Sequence, residues 1–147
     1  AGFLRTSGRY GGHIYALYDR PLDNPYSWTE AKTLCESMSG HLLCVHDAKE
    51  NRFIVDEILP MTTSRRIWMG LYREGATQKW IWVDGTAVEY TDWWADRRTG
   101  PQHDRGLYRG ARDWDWESLS NQPINRVHAF IGEWDELRAL PKPANAP

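Results

Sequence analysis

The residues between Asp92 and Glu117 carry the densest recognition chemistry in this chain. Trp93, Trp94, Trp114 and Trp116 stand there with Arg97, Arg98, Arg105, Arg109 and Arg112, and with no lysine. Indole rings bury large areas with few rotors, and guanidinium offers planar, multidentate hydrogen bonds, so these residue types together are those of a binding hot spot. Gln102, His103, Asp104, Asp113, Asp115 and Glu117 add polar groups to the same segment. Their carboxylates could ligand a cation or lace the surface by pairing with the arginines. His103-Asp104 resembles a catalytic or metal dyad, but no Glu-x-x-His or His-x-x-x-His spacing accompanies it, so it reads as a loop histidine. No G-x-S-x-G, phosphate-binding glycine loop or G-x-G-x-x-G motif is present, which argues against an enzyme. Ligand contact is therefore expected from Trp94, Gln102, His103, Asp104, Arg105, Arg109, Arg112, Trp114, Asp115 and Glu117.

Composition narrows the class further. The 147 residues suit one domain with one main core, and 18 basic against 20 acidic residues exclude the basic excess of a nucleic-acid binder. No run approaches the roughly 20 apolar residues of a membrane span, and AGFLRTSGRY lacks a signal-peptide core, so no direct membrane insertion is expected. Aromatics reach 13% while mean hydropathy is -0.68, a combination that fits a loop-rich recognition domain better than a helical bundle. Two cysteines, Cys35 and Cys44, exclude a disulfide scaffold and a four-cysteine zinc site. Their apolar neighbours favour small buried hydrophobes, with a reactive thiol or a Cys35–Cys44 bridge as alternatives.

These residues need a frame. His13 to Asp19 is a β-prone run ended by the turn-rich PLDNP, and it is expected to form the first strand. Ser27-Trp28-Thr29-Glu30 fits a capping box, and Trp28, Ala31, Leu34, Cys35 and Met38 recur at helical spacing, predicting a helix over 28–39 stopped by a left-handed Gly40. Asp47 to Glu50 repeats the capping spacing ahead of Phe53, Ile54, Val55, Ile58 and Leu59, predicting a second helix closed by Pro60. Strands are expected at 67–71 and 79–83, and Asp84-Gly85 should turn the latter into a returning strand over 86–90. From Thr91 to about Asn125 no periodicity persists, and so long an irregular stretch is usually functional. Val127 to Ile131 is expected to be the last strand, paired with the first. Residues 137–147 are Pro-rich and linker-like, so the domain is set at 1–136 within a longer chain. The order of elements is α+β.

YSWTEAKTLCESMSGHLLCVHDAKENRFI resembles the N-terminal half of C-type lectin-like domains. IWMGLYREGATQKWIWVDGTAVEYTDW resembles the family's W-[IM]-G-L segment, W-x-W-x-[DS]-G hairpin and Y-x-x-W entry to its long loop, and AFIGEW resembles its closing F-I-C-E strand. The resemblance runs from about Gly12 to Trp134. It implies a C-type lectin-like fold with two helices flanking antiparallel sheets, Trp93 at the core edge, and a ligand site in the long loop.

Departures from the family pattern shape the expected function. Gly132 stands where the family carries a cysteine bonded to the counterpart of Cys35, a loss worth about 2–5 kcal/mol unless packing compensates. Members without these bridges occur in bacteria, so the resemblance implies a bacterial-type member. Gly100-Pro101-Gln102 and Trp116-Glu117-Ser118 replace the family's calcium triplets, and Gln122-Pro123 lies too near the last strand to serve as one. Calcium needs 6–8 hard oxygen ligands, and the arginines repel a cation. The expectation is a non-catalytic module binding a protein or carbohydrate without cofactor. A calcium lectin using Asp104, Asp115 and Glu117 is the alternative, and a structural module of a larger protein the third. Formylglycine-generating oxidases, lectin-like in fold, rely on a late cysteine pair that this chain lacks. Family resemblance favours an extracellular or cell-surface location, while unpaired cysteines also suit the cytoplasm.

Overall fold

The computed structural model describes residues 3–96, 99–111 and 113–135, so the expected 136/137 domain boundary lies outside the described residues. Among the described residues, eight strands and two α-helices follow one another as β1 (Phe3–Tyr10), β2 (His13–Asp19), α1 (Trp28–Ser37), β3 (His41–Leu42), α2 (Ala48–Phe53), β4 (Arg66–Arg73), β5 (Trp80–Trp82), β6 (Arg105–Gly110), β7 (Trp114–Leu119) and β8 (Ala129–Asp135). The strands form one sheet in the order β1-β2-β8-β4-β6-β7, with β3 on β8 and β5 on β4. Only β4 and β8 run parallel, Ile67 beside Ala129 and Trp68 beside Phe130; the other pairs are antiparallel. This is the expected α+β architecture, and β2 pairs along its whole length with β8, first expected strand with last.

Both helix starts are built as their sequences require. Ser27 Oγ accepts the Glu30 N–H at 3.0 Å and Asp47 the Glu50 N–H at 2.7 Å, each satisfying a donor left open by the first turn. The returning half of the first box is diverted, because the Glu30 carboxylate pairs with buried Arg20. Ser39, not Gly40, takes the left-handed conformation, with φ 64°. Gly40 is needed for a different reason: a Cβ there would lie 2.6 Å from the Trp134 ring and 2.8 Å from the Glu133 carbonyl. The second helix is shorter than expected, since Ile54–Ile58 widen into a π-turn and Leu59–Met61 tighten into a 3-10 turn that contains Pro60.

Three further expectations are corrected. β1 was unforeseen; its outward alternation carries few apolar residues, and the turn to β2 rests on Gly11 and Gly12, both at positive φ. After the Asp84-Gly85 turn only an Ile81–Ala87 bridge forms, because Val88 and Tyr90 fold down onto the core instead of extending as a strand. The stretch over 91–125 is not a continuous loop, since it contains the β6–β7 hairpin. Gly106 and Gly110 hid β6 from its sequence, yet both are required: an added Cβ would sit 2.8 Å from Leu71 Cβ and 2.7 Å from the Trp114 ring, respectively.

The core splits across the sheet. Tyr15, Leu17, Ile54, Met69, Trp82, Tyr108 and Trp116 pack with α2 on one side, while Trp28, Ala31, Cys35, Trp68, Leu107 and Phe130 pack with α1 on the other. Cys35 and Cys44 are both buried free thiols, so they act as small core residues and form no mutual bridge. A Cβ at Gly132 would lie 3.1 Å from Cys35 Sγ, so these two positions face each other without a covalent link.

Candidate functional site

The β6–β7 hairpin places most of the expected ligand residues, and it separates them into two groups. Strand pairing sets Arg109 opposite Asp115 and Arg105 opposite Leu119. At about 3.3 Å per residue, the Asp104 and Arg109 positions stand roughly 16 Å apart along the strand.

The Arg109 group is the better organised of the two. Asp115 grips the Arg109 guanidinium with two parallel bonds of 2.9 and 2.8 Å, and the Trp94 ring lies beneath it at 3.9 Å. Trp94 is itself fixed by its backbone N–H to the Trp116 carbonyl at 2.8 Å. A planar cation held on one edge by a carboxylate and on one face by indole has little rotamer freedom left to lose on meeting a partner. Trp114 approaches Tyr108 edge-on at 6.4 Å and is half-buried against the core. Arg112, expected beside them, lies outside the described residues, as do Arg97 and Arg98.

The second group surrounds the start of β6. Arg105 pairs with Asp104 at 3.0 Å and covers the Trp28 ring at 4.7 Å. The Asp104 carbonyl accepts the Arg73 N–H, and the His103 N–H closes a turn onto Gly100 at 2.9 Å, leaving Gln102 exposed at its tip. Asp92, near the hairpin, has its carboxyl raised by burial and by the Asp115 charge.

Glu117 departs from expectation. It is 6% exposed on β7, 3.9 Å from the Arg66 guanidinium, and therefore not a surface contact. Asp104, Asp115 and Glu117 are not brought together: each pairs with a different arginine, and Glu117 is buried. Trp93 packs at 4.9 Å on Trp80 and 5.9 Å on Trp116, the pinning role expected of it. Sequence reasoning missed an arginine-lined cleft of about 560 Å³ among Arg5, Arg20, Ser64, Arg65, Arg66 and Arg126, because its walls come from separated segments of the chain.

A family model described as Lectin C-type domain matches residues 24–132. Among curated relatives, Snaclec B1 of Macrovipera lebetinus is 30% identical over 86 residues, covering 57% of this chain and 55% of the relative. A coagulation factor IX/factor X-binding snaclec of Echis carinatus is 30% identical over 57% of this chain and 66% of its own length. Lymphocyte antigen 75 of Mus musculus is 33% identical over 58% of this chain but only 5% of its own length. The chain thus spans about half the length of the first of these relatives. Viper and mouse sources lend no support to the bacterial origin expected from the missing cysteine. Of solved structures, the C-type lectin domain of murine dendritic cell inhibitory receptor 2, in complex with N-glycan, superposes with TM-score 0.74 at 21% identity, over 88% of this chain and 95% of that one. A calcium-independent type II antifreeze protein superposes with TM-score 0.73 at 22% identity, over 88% and 91%.

Proposed function

Because the chain belongs to the C-type lectin domain family, we propose that it is a non-catalytic recognition module that binds a protein or a polyhydroxy or anionic glycan without calcium. Relatives of both kinds support the ligand class, one named for binding coagulation factors and one solved with N-glycan. The observation that carries the reading is the Trp94–Arg109–Asp115 stack, in which a carboxylate that a calcium site would need is already committed to a guanidinium. The Arg105–Asp104 pair repeats that arrangement at the other end of β6. A pre-oriented guanidinium offers bidentate bonding to carboxylate, sulfate or vicinal hydroxyls, and the neighbouring ring offers a sugar or side chain a flat apolar face.

The module acts outside the cell or at its surface, a reading that a receptor among its structural relatives supports. No helix among the described residues is long and apolar enough to cross a membrane. A thermal melt in millimolar calcium and in chelator tests the calcium claim, since an ion that binds only the folded state must raise the melting temperature. Superimposed curves are expected. A calcium-dependent rise that Asp115→Asn abolishes would establish a calcium lectin instead.

A further inference from the structure

Away from the hairpin, β3, the segment after it and β8 bring together three side chains that recognition by Trp94 and Arg109 does not use. His41 and Glu133 are direct partners in the β3–β8 pairing, and Cys44 lies two residues past the end of β3. One donor atom from each of His41, Cys44 and Glu133 falls within 4.8 Å of the others. His41 Nδ1 is 3.7 Å from Cys44 Sγ and donates to the Leu42 carbonyl at 2.7 Å, a bond the ring gives up when that nitrogen ligates an ion, and Glu133 Oε1 accepts the Cys44 N–H at 3.0 Å. Cys44 is fully buried and Glu133 is 1% exposed, whereas His41 is half-buried at the surface end of the cluster.

The Glu133 carboxyl forms the buried end of the cluster, where a bound cation would satisfy its oxygens beside the Cys44 N–H. On its far side His13 Nδ1 approaches Glu133 Oε2 at 3.0 Å, where it can orient the carboxylate as an outer partner.

We propose that His41, Cys44 and Glu133 form a binding site for a borderline-soft divalent cation of the zinc class. Thiolate and imidazole select zinc over calcium, which takes oxygen ligands alone. With bonds of about 2.0–2.3 Å, donors around tetrahedral zinc stand roughly 3.3–3.8 Å apart, so the cluster closes on an ion with about 1 Å of movement. Binding breaks the Cys44 S–H bond, forms a metal–sulfur bond and releases the proton to solvent, with no change of oxidation state. The ion would tie β3 and the segment after it to β8, next to the place where Cys35 and Gly132 face each other without a link.

Calorimetric titration of the chelator-treated chain with zinc chloride, followed by the absorption spectrum with cobalt(II), tests the site. The expected result is one zinc per chain, a raised melting temperature, and a thiolate-to-cobalt charge-transfer band that Cys44→Ser removes. His41→Ala and Glu133→Gln should each weaken zinc by about tenfold or more. His41, half-buried at the surface end, carries the test if the Cys44 variant does not fold. No zinc uptake, a cobalt spectrum without the thiolate band, unchanged affinity in His41→Ala, or a melting shift with calcium and none with zinc would each overturn the proposal.

Discussion

Trp94 and Trp114 are alike in sequence and differ in what holds them. Trp114 packs against Tyr108 and over Gly110 at the margin of the core, whereas Trp94 is outside both main core clusters and stacks on Arg109. Trp114→Ala should therefore destabilise by about 1–3 kcal/mol, the cost of truncating a half-buried ring. Trp94→Ala should shift the melting temperature little while weakening ligand binding, as denaturation and affinity measured on the same two variants would reveal. This distinction was invisible in the sequence, where both are tryptophans in an aperiodic, arginine-rich stretch. Asp92 supplies a test of the same surface by pH. Its folded carboxyl is raised by burial and by Asp115, so the fold holds that proton more tightly than the unfolded chain does. The corresponding stability is present below the ordinary carboxylate range and lost as pH rises through the folded value. An NMR titration should find the Asp92 value raised, and Asp115→Asn should move it back down.

Elements were legible where local chemistry and tertiary packing agree. The Ser27 and Asp47 caps, the apolar face of α1, and the β-branched and aromatic runs of β4 and β8 each announce themselves by type and spacing. β6 did not, because its inward positions alternate glycine with Tyr108, while its other face carries arginines that are half-buried by pairing instead of exposed. Hydropathy there meets Gly and Arg and points to a loop. The glycines are demanded by close approach, which only the folded neighbours disclose. Gly106→Ala would set a Cβ 2.8 Å from Leu71 Cβ, an atom too near its own backbone to move aside. It should cost about 1–3 kcal/mol by overpacking. Gly75→Ala, with nothing within 4 Å of the added carbon, should be close to neutral, and chemical denaturation of the two variants side by side checks the contrast.

At the scale of the whole molecule, the family fold persists in a chain whose two cysteines are both unbonded. Rings bridge the layers in their place: Trp28 Nε1 donates to the Met69 carbonyl at 2.8 Å, Trp68 Nε1 to Tyr26 at 3.1 Å and Trp134 Nε1 to Met38 at 2.8 Å. Each joins segments distant in sequence while burying a large apolar body, so aromatic content supplies packing and cross-layer hydrogen bonds together. The candidate site was legible in composition but not in geometry. Tryptophan and arginine mark the segment from Asp92 to Glu117 by type alone, yet strand pairing divides its residues between two ends of a hairpin and buries Glu117.

The central claim, recognition without calcium through the Trp94–Arg109 surface, is tested most directly by probing a glycan array and an immobilised extracellular-protein panel. The wild-type chain and the Trp94→Ala/Arg109→Ala variant would each be applied in millimolar calcium and in chelator. The account predicts the same ligands under both conditions, with binding weakened at least about tenfold in the variant, as expected on losing a hot-spot pair. Ligands that appear only with calcium, or that the folded variant binds as well as the wild type, would contradict it.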